Sequence, residues 1–186
     1  MPRHLILASA SPRRSELLRN AGIDFSVRVS NIEEVYRKDE PAIDYVRRLA
    51  REKANAVPLN PGEMILAADT VVEVDGRILE KPQDEEDARQ MLRQLSGKPH
   101  FVHTGIFLRS GEHQVSDVST TAVYFLPMTD QEITDYVASE EPMDKAGAYA
   151  IQGGASKFID RIEGCYFNVV GLPVSKVWQL IQSHSI

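Results

Sequence analysis

The apolar positions of this 186-residue chain change their spacing several times along its length. Leu5-Ile6-Leu7-Ala8 is a continuous apolar run, the pattern of a strand buried on both faces. It ends in Ser9-Ala10-Ser11, and Pro12 then opens a helix with Leu17 and Leu18 on its inner face and a stop at Asn20-Ala21-Gly22. Ser11 is placed to cap that helix with its hydroxyl. Residues 25–29 alternate as a strand does. Over 41–57 the positions Ile43, Val46, Ala50, Lys53 and Val57 recur at helical spacing, so an apolar stripe contains a lysine. A second buried run at 64–68 passes through Asp69-Thr70 into Val71-Val72-Glu73-Val74, and Asp75-Gly76 predicts a tight return through Arg77-Ile78-Leu79.

Asp84-Glu85-Glu86-Asp87 starts a helix whose face is Ala88, Met91, Leu92 and Leu95 and which Gly97 ends. Two long strands, 99–108 and 115–125, flank a turn at Gly111. Thr129-Asp130-Gln131-Glu132 is a capping box for a helix through Val137. Residues 158–162 and 166–170 are expected to form a hairpin. Gly171-Leu172-Pro173 then leads into a last helix that packs inward through Val174, Val177, Trp178 and Ile181. Strand-like runs alternating with helical stripes predict an α/β fold: a single domain over 1–186, with a mixed, twisted sheet and flanking helices.

Charge narrows the partners. Lys and Arg number 21 against 27 Asp and Glu, a net charge of −6, so no broad footprint for duplex nucleic acid is expected. The basic residues that stand out sit in short motifs, which favours a small anionic ligand. With Cys165 alone no internal disulfide forms, and it reads as a small buried side chain in a reducing compartment. There is no signal-peptide layout and no run of membrane-spanning length, so a cytoplasmic protein with no membrane partner is expected.

Arg13 and Arg14 occupy the first helical turn, where the helix dipole already presents positive charge. An anion held there reverses the sign, with the backbone N–H groups, the Ser9 and Ser11 hydroxyls and two guanidinium forks converging on it. Phosphate is the candidate. Lys53 on a buried stripe calls for an anion of its own. Asp69, flanked by buried residues, must be neutral, hydrogen-bonded or bound to a metal. With Lys81 and a carboxylate at Glu33, or its neighbour Glu34, this is the inventory of Mg²⁺-dependent phosphoryl chemistry. Gln152, in the small-residue segment 144–154, offers donor and acceptor to the edge of a planar base. His100 and His103 lack partners at metal-ligand spacing and are read as incidental.

The segment 5–18 resembles the N-terminal signature of the Maf family of nucleoside triphosphate pyrophosphatases. The likeness continues at Ala68-Asp69-Thr70-Val71-Val72, Lys81-Pro82, Asp144-Lys145-Ala146-Gly147 and Gly171-Leu172-Pro173. The resemblance implies a fold of the Maf and inosine-triphosphatase type, with an active-site cleft between two lobes. It implies hydrolysis of a nucleoside triphosphate substrate between the α and β phosphates with Mg²⁺ or Mn²⁺. Asp69 would be the proton acceptor and, with Glu33, a metal ligand; Ser9, Arg13, Arg14, Lys53, Thr70, Lys81 and Gln152 would bind substrate. Arg13, Thr70 and Gln152 together resemble the branch acting on dTTP and UTP; the branch acting on 7-methyl-GTP typically carries glutamate in place of Gln152. A homodimer is the family expectation, and a nucleotide-sensing regulator of septum formation is the competing class. Glu80 stands where the family often has glycine, and Gly154-Ala155 where an arginine is common.

Overall fold

The two apolar runs lie side by side. In the computed structural model, which describes residues 3–184, strand β1 (His4–Leu7) pairs in parallel with β2 (Phe25–Val27) and with β3 (Glu63–Val74). Leu5 is in register with Phe25 on one side and Met64 on the other. The hairpin at Asp75-Gly76 returns through β4 (Arg77–Leu79), antiparallel to β3, and both turn residues take positive φ as that turn demands. With β5 (Pro99–Ser110), β6 (His113–Phe125) and β7 (Ile159–Glu163), the sheet runs β2-β1-β3-β5-β6-β7, with β4 off that path. Its helices are α1 (Pro12–Asn20), α2 (Ala42–Ala56), α3 (Glu85–Leu95), α4 (Asp130–Val137), α5 (Tyr166–Val170) and α6 (Val174–His184). The fold is the mixed α/β arrangement expected.

The chain divides into two compact units. The first holds residues up to Asp69, Thr104–Ser119 and the chain from Gly171 on; the second holds Thr70–His103 and Thr120–Val170. In the first unit, α2 lays Ala50 and Ala54 against Ile6, Ile65, Ala67 and Phe107 of the strands. Gly105 makes that approach possible, because a β-carbon there would stand 2.3 Å from the Val46 carbonyl oxygen. In the second unit, Ala88, Leu92 and Leu95 of α3 and Ile133 and Val137 of α4 pack on Val72, Val102, Val123 and Phe125. Both helices start as their sequences ask. The Asp84 carboxylate accepts from Asp87 N at 2.8 Å, and the Thr129–Glu132 capping box is complete.

Several expectations need correction. Residues 166–170 form a helical turn and no strand, because the buried Asn168 amide donates to the Val102 carbonyl and to Thr121 Oγ1, both at 2.9 Å. Strand β2 stops at Val27, and Cys165 is half-buried. On α2 the inward positions are Ala42, Tyr45, Val46, Leu49, Ala50, Lys53 and Ala54, which leaves Ile43 exposed. On α6 Val177 takes the buried position, and Trp178, one residue around the helix, is half exposed. The Ser11 hydroxyl makes no cap bond. Among the described residues no helix is long and apolar enough to cross a membrane.

Candidate active site

The site begins where β1 ends. Ser9 is buried, and its Oγ accepts from Ser11 N at 3.2 Å and from Arg14 Nη1 at 3.1 Å, so the hydroxyl that organises the turn lies two residues before the expected cap. Arg14 points inward from the first turn of α1, and its Nε donates to the Gly171 carbonyl at 2.9 Å. Burial pulls the guanidinium below its ordinary pKa, while the charges of Asp69 and Glu34 oppose that drift. Arg13 is half-buried beside it.

Lys53 projects from the buried face of α2, with its whole residue only 8% exposed. Its Nζ donates to Asp69 Oδ1 at 2.6 Å and meets Glu34 Oε1 at 2.9 Å. Asp69 is itself 5% exposed in the middle of β3, where its neighbours Ala67, Ala68 and Val71 are buried. Burial raises the carboxyl above the usual aspartate range; Lys53 and Arg14 pull it back, and Glu34 adds to the rise. The first unit thus holds a buried cation, carboxylate and second cation, with Glu34 joining from an exposed loop. Of the two neighbouring glutamates, Glu33 is exposed, and Glu34 is the one set against Lys53.

The remaining sequence candidates, Thr70, Lys81 and Gln152, belong to the second unit. Thr70 is half-buried, while Lys81 and Gln152 are exposed. The Glu80 carbonyl accepts from Gly147 N at 3.0 Å, which ties the residue before Lys81 to the segment 144–147. Gly147 has φ 69°, and a β-carbon there would lie 2.8 Å from Val72 Cγ2, so glycine is required on both counts. The loop bearing Gln152 is braced by two residues that do not stand out in the sequence. The Glu141 carboxylate accepts from Tyr136 Oη at 2.7 Å and from Gly154 N at 3.0 Å, and Tyr136 Oη accepts from Ala150 N at 3.1 Å. A side chain at Gly153 would strike Glu141 Oε1 at 2.2 Å. No local spacing announces this brace, because its parts come from a helix end and a loop 13 residues on.

His100 and His103 are buried, with protein partners of their own. His100 Nε2 lies 2.9 Å from Tyr149 Oη, and the two nitrogens of His103 meet Glu73 Oε2 at 2.8 Å and Thr120 Oγ1 at 2.9 Å. Among the described residues no group of three or more His, Cys, Asp or Glu could hold a metal as a dedicated cage. Two carboxylates within 2.9 Å of one ammonium are nevertheless the donor set that suits Mg²⁺ or Mn²⁺ shared with a polyphosphate, where one or two protein carboxylates suffice.

Residues 4–184 match the family described as Maf-like protein. The chain is 49% identical over 179 residues to a dTTP/UTP pyrophosphatase of Koribacter versatilis, covering 96% of this chain and 93% of that one. It is 51% identical over 180 residues to a dTTP/UTP pyrophosphatase of Vibrio parahaemolyticus, covering 96% and 95%. A HAM1 protein from Coxiella burnetii shares the fold, with a TM-score of 0.50 at 16% identity over 97% of this chain and 98% of that one.

Proposed function

The chain belongs to the Maf family, and from that premise we propose that it hydrolyses dTTP and UTP to the nucleoside monophosphate and pyrophosphate. The observation that carries this reading is the buried array of Arg14, Lys53 and Asp69. Replacing buried ion pairs by apolar residues of similar volume is often neutral or stabilising, so three buried charges are better accounted for by a charged ligand than by stability. The substrate class follows from relatives of about half identity along nearly the whole chain that bear the name dTTP/UTP pyrophosphatase.

Arg14, Arg13 and Ser9 at the start of α1 bind phosphate oxygens, and Lys81 is a further substrate-binding cation. Lys53 holds Asp69 at 2.6 Å, which fixes the direction of the carboxylate. Asp69, its proton affinity raised by burial, takes the proton from the attacking water as the new oxygen–phosphorus bond forms at the α phosphate. The bond to the bridging oxygen breaks, and pyrophosphate leaves with that electron pair. Asp69 and Glu34 are the residues that would hold Mg²⁺ or Mn²⁺, and the ion would neutralise phosphate charge. Gln152 reads the edge of the pyrimidine, with Thr70 beside Asp69 in the chain completing the substrate contacts. A substrate drawn from the free nucleotide pool supports a cytoplasmic location.

Pyrophosphate release from dTTP and UTP, measured against dATP, dCTP and 7-methyl-GTP with Mg²⁺ or Mn²⁺, tests the reading. Turnover of dTTP and UTP well above the others is the expected result. Preference for 7-methyl-GTP, or binding without turnover, overturns it. Sedimentation tests the homodimer that the family resemblance implies.

A further inference from the structure

Residues 28–41 connect β2 to α2 without regular structure, and most of them are exposed. A segment of this kind has little packing to hold it. Yet it delivers the Glu34 carboxylate to within 2.9 Å of Lys53 Nζ. What fastens it is another side chain of the same helix. Arg48 Nη2 donates at 3.0 Å to the carbonyl of Val35, the residue after Glu34. Its Nε and Nη2 close a two-point bridge on Glu40 at 2.7 and 2.6 Å, and Nη1 reaches both oxygens of Glu52 at 3.1 and 3.2 Å. The guanidinium also lies over the Tyr45 ring, 5.4 Å from its centroid, and Tyr45 meets Tyr36 of the loop edge-on at 5.6 Å. The Arg48 and Glu40 side chains are only 15% and 12% exposed, so solvent screens their pairing far less than that of a surface pair.

We propose that Arg48 is a positioning residue for the site: it clamps the acidic loop at Val35 and Glu40 so that Glu34 is held against Lys53 and Asp69. Lys53 grips residue 34 by its side chain, and Arg48 grips residue 35 by its backbone. The donors of Arg48 point in three directions at once, to a carbonyl and to two carboxylates. The three donors of a lysine, radiating from one point, cannot span them. The proposal rests on the reading of Glu34 and Asp69 as the pair that faces the metal ion.

Arg48→Lys tests it, with Glu40→Gln as a second variant that weakens the same clamp from the loop side. Amide hydrogen exchange, Mn²⁺ titration of the free protein by electron paramagnetic resonance, and steady-state kinetics are compared with wild type. Both variants should speed exchange within 30–40 while leaving the rest of the first unit protected. Both should weaken Mn²⁺ binding by about 10-fold, as loss of a residue that orients a metal ligand does. KM for dTTP at saturating Mn²⁺ should stay unchanged. In a Glu34→Gln background, Arg48→Lys should weaken Mn²⁺ binding no further, because the two changes act through one carboxylate. Unchanged Mn²⁺ affinity in Arg48→Lys, an equal loss in the Glu34→Gln background, or no Mn²⁺ binding by wild type overturns the proposal. A wild-type protein that binds Mn²⁺ but releases no pyrophosphate from dTTP or UTP overturns the proposed function alone, since exchange and titration still decide the role of Arg48.

Discussion

Both units bury polar groups, but of different kinds. In the first, Arg14, Lys53 and Asp69 are the fully charged residues buried among those described. In the second, the buried polar side chains are His100, His103, Thr121 and Asn168, none of which carries a fixed charge. The neutral set is explained by the fold it completes. Asn168 satisfies a strand carbonyl, Thr121 Oγ1 accepts from Cys165 N at 3.0 Å, and His100 joins an edge-on aromatic group with Phe125 and Tyr149. In the charged set Arg14 bonds the Gly171 carbonyl, whereas Lys53 and Asp69 are paired with each other at 2.6 Å and the bond between them completes no ladder or turn. Burial of a polar group is thus weak evidence of function, and burial of charge that the backbone does not need is strong evidence.

The comparison can be broken at its charged end first. Asp69→Asn should lower kcat for pyrophosphate release by about 10²–10⁴-fold while nucleotide binding, followed by calorimetry, persists. Replacing the ion pair outright, as Lys53→Met with Asp69→Leu, should give an inactive protein that unfolds at the same or a higher denaturant concentration, since buried pairs are commonly neutral or costly to stability. A clear loss of stability would make these charges structural and erase the contrast.

The neutral end gives smaller effects, on stability alone. Burial holds the His100 imidazole down at a pKa of about 4. The unfolded chain takes up a proton as pH falls through about 6.5 and the folded one does not until about 4. Stability should therefore be intact above pH 7 and fall by up to about 3 kcal/mol between those values, and His100→Gln should flatten that part of the profile in urea titrations. Asn168→Ala should cost about 2 kcal/mol, with kcat/KM within twofold of wild type. The smallest expected difference lies between two helix starts. Asp84→Ala should cost about 1 kcal/mol through its lost cap, and Ser11→Ala almost nothing, because Ser11 makes no cap bond.

The parts of the site that share one element were readable from the sequence. Lys53 stood on the apolar stripe of a helix and Asp69 inside a buried strand, and residue spacing reports burial directly in both cases. The turn from β1 into α1 was readable for the same reason, except that the organising hydroxyl belongs to Ser9. What the sequence hid depends on contacts between distant segments. The pattern of 166–170 is that of a strand, and only the reach of Asn168 to Val102, 66 residues away, makes it a helical turn. Glu33 and Glu34 are indistinguishable by spacing, and Lys53 separates them through a contact made across the loop. Trp178 suits a core by its chemistry, but Val177 already fills the inward position.

Arg14 is fastened to a carbonyl 157 positions further along the chain. On the ribosome, a copy that has not yet been extended past Gly171 lacks the carbonyl that Nε takes, and Ser9 holds the guanidinium from one side however well the earlier strands and helices have formed. The two contacts that Nε and Nη1 make are therefore complete only once the chain has been built through Gly171.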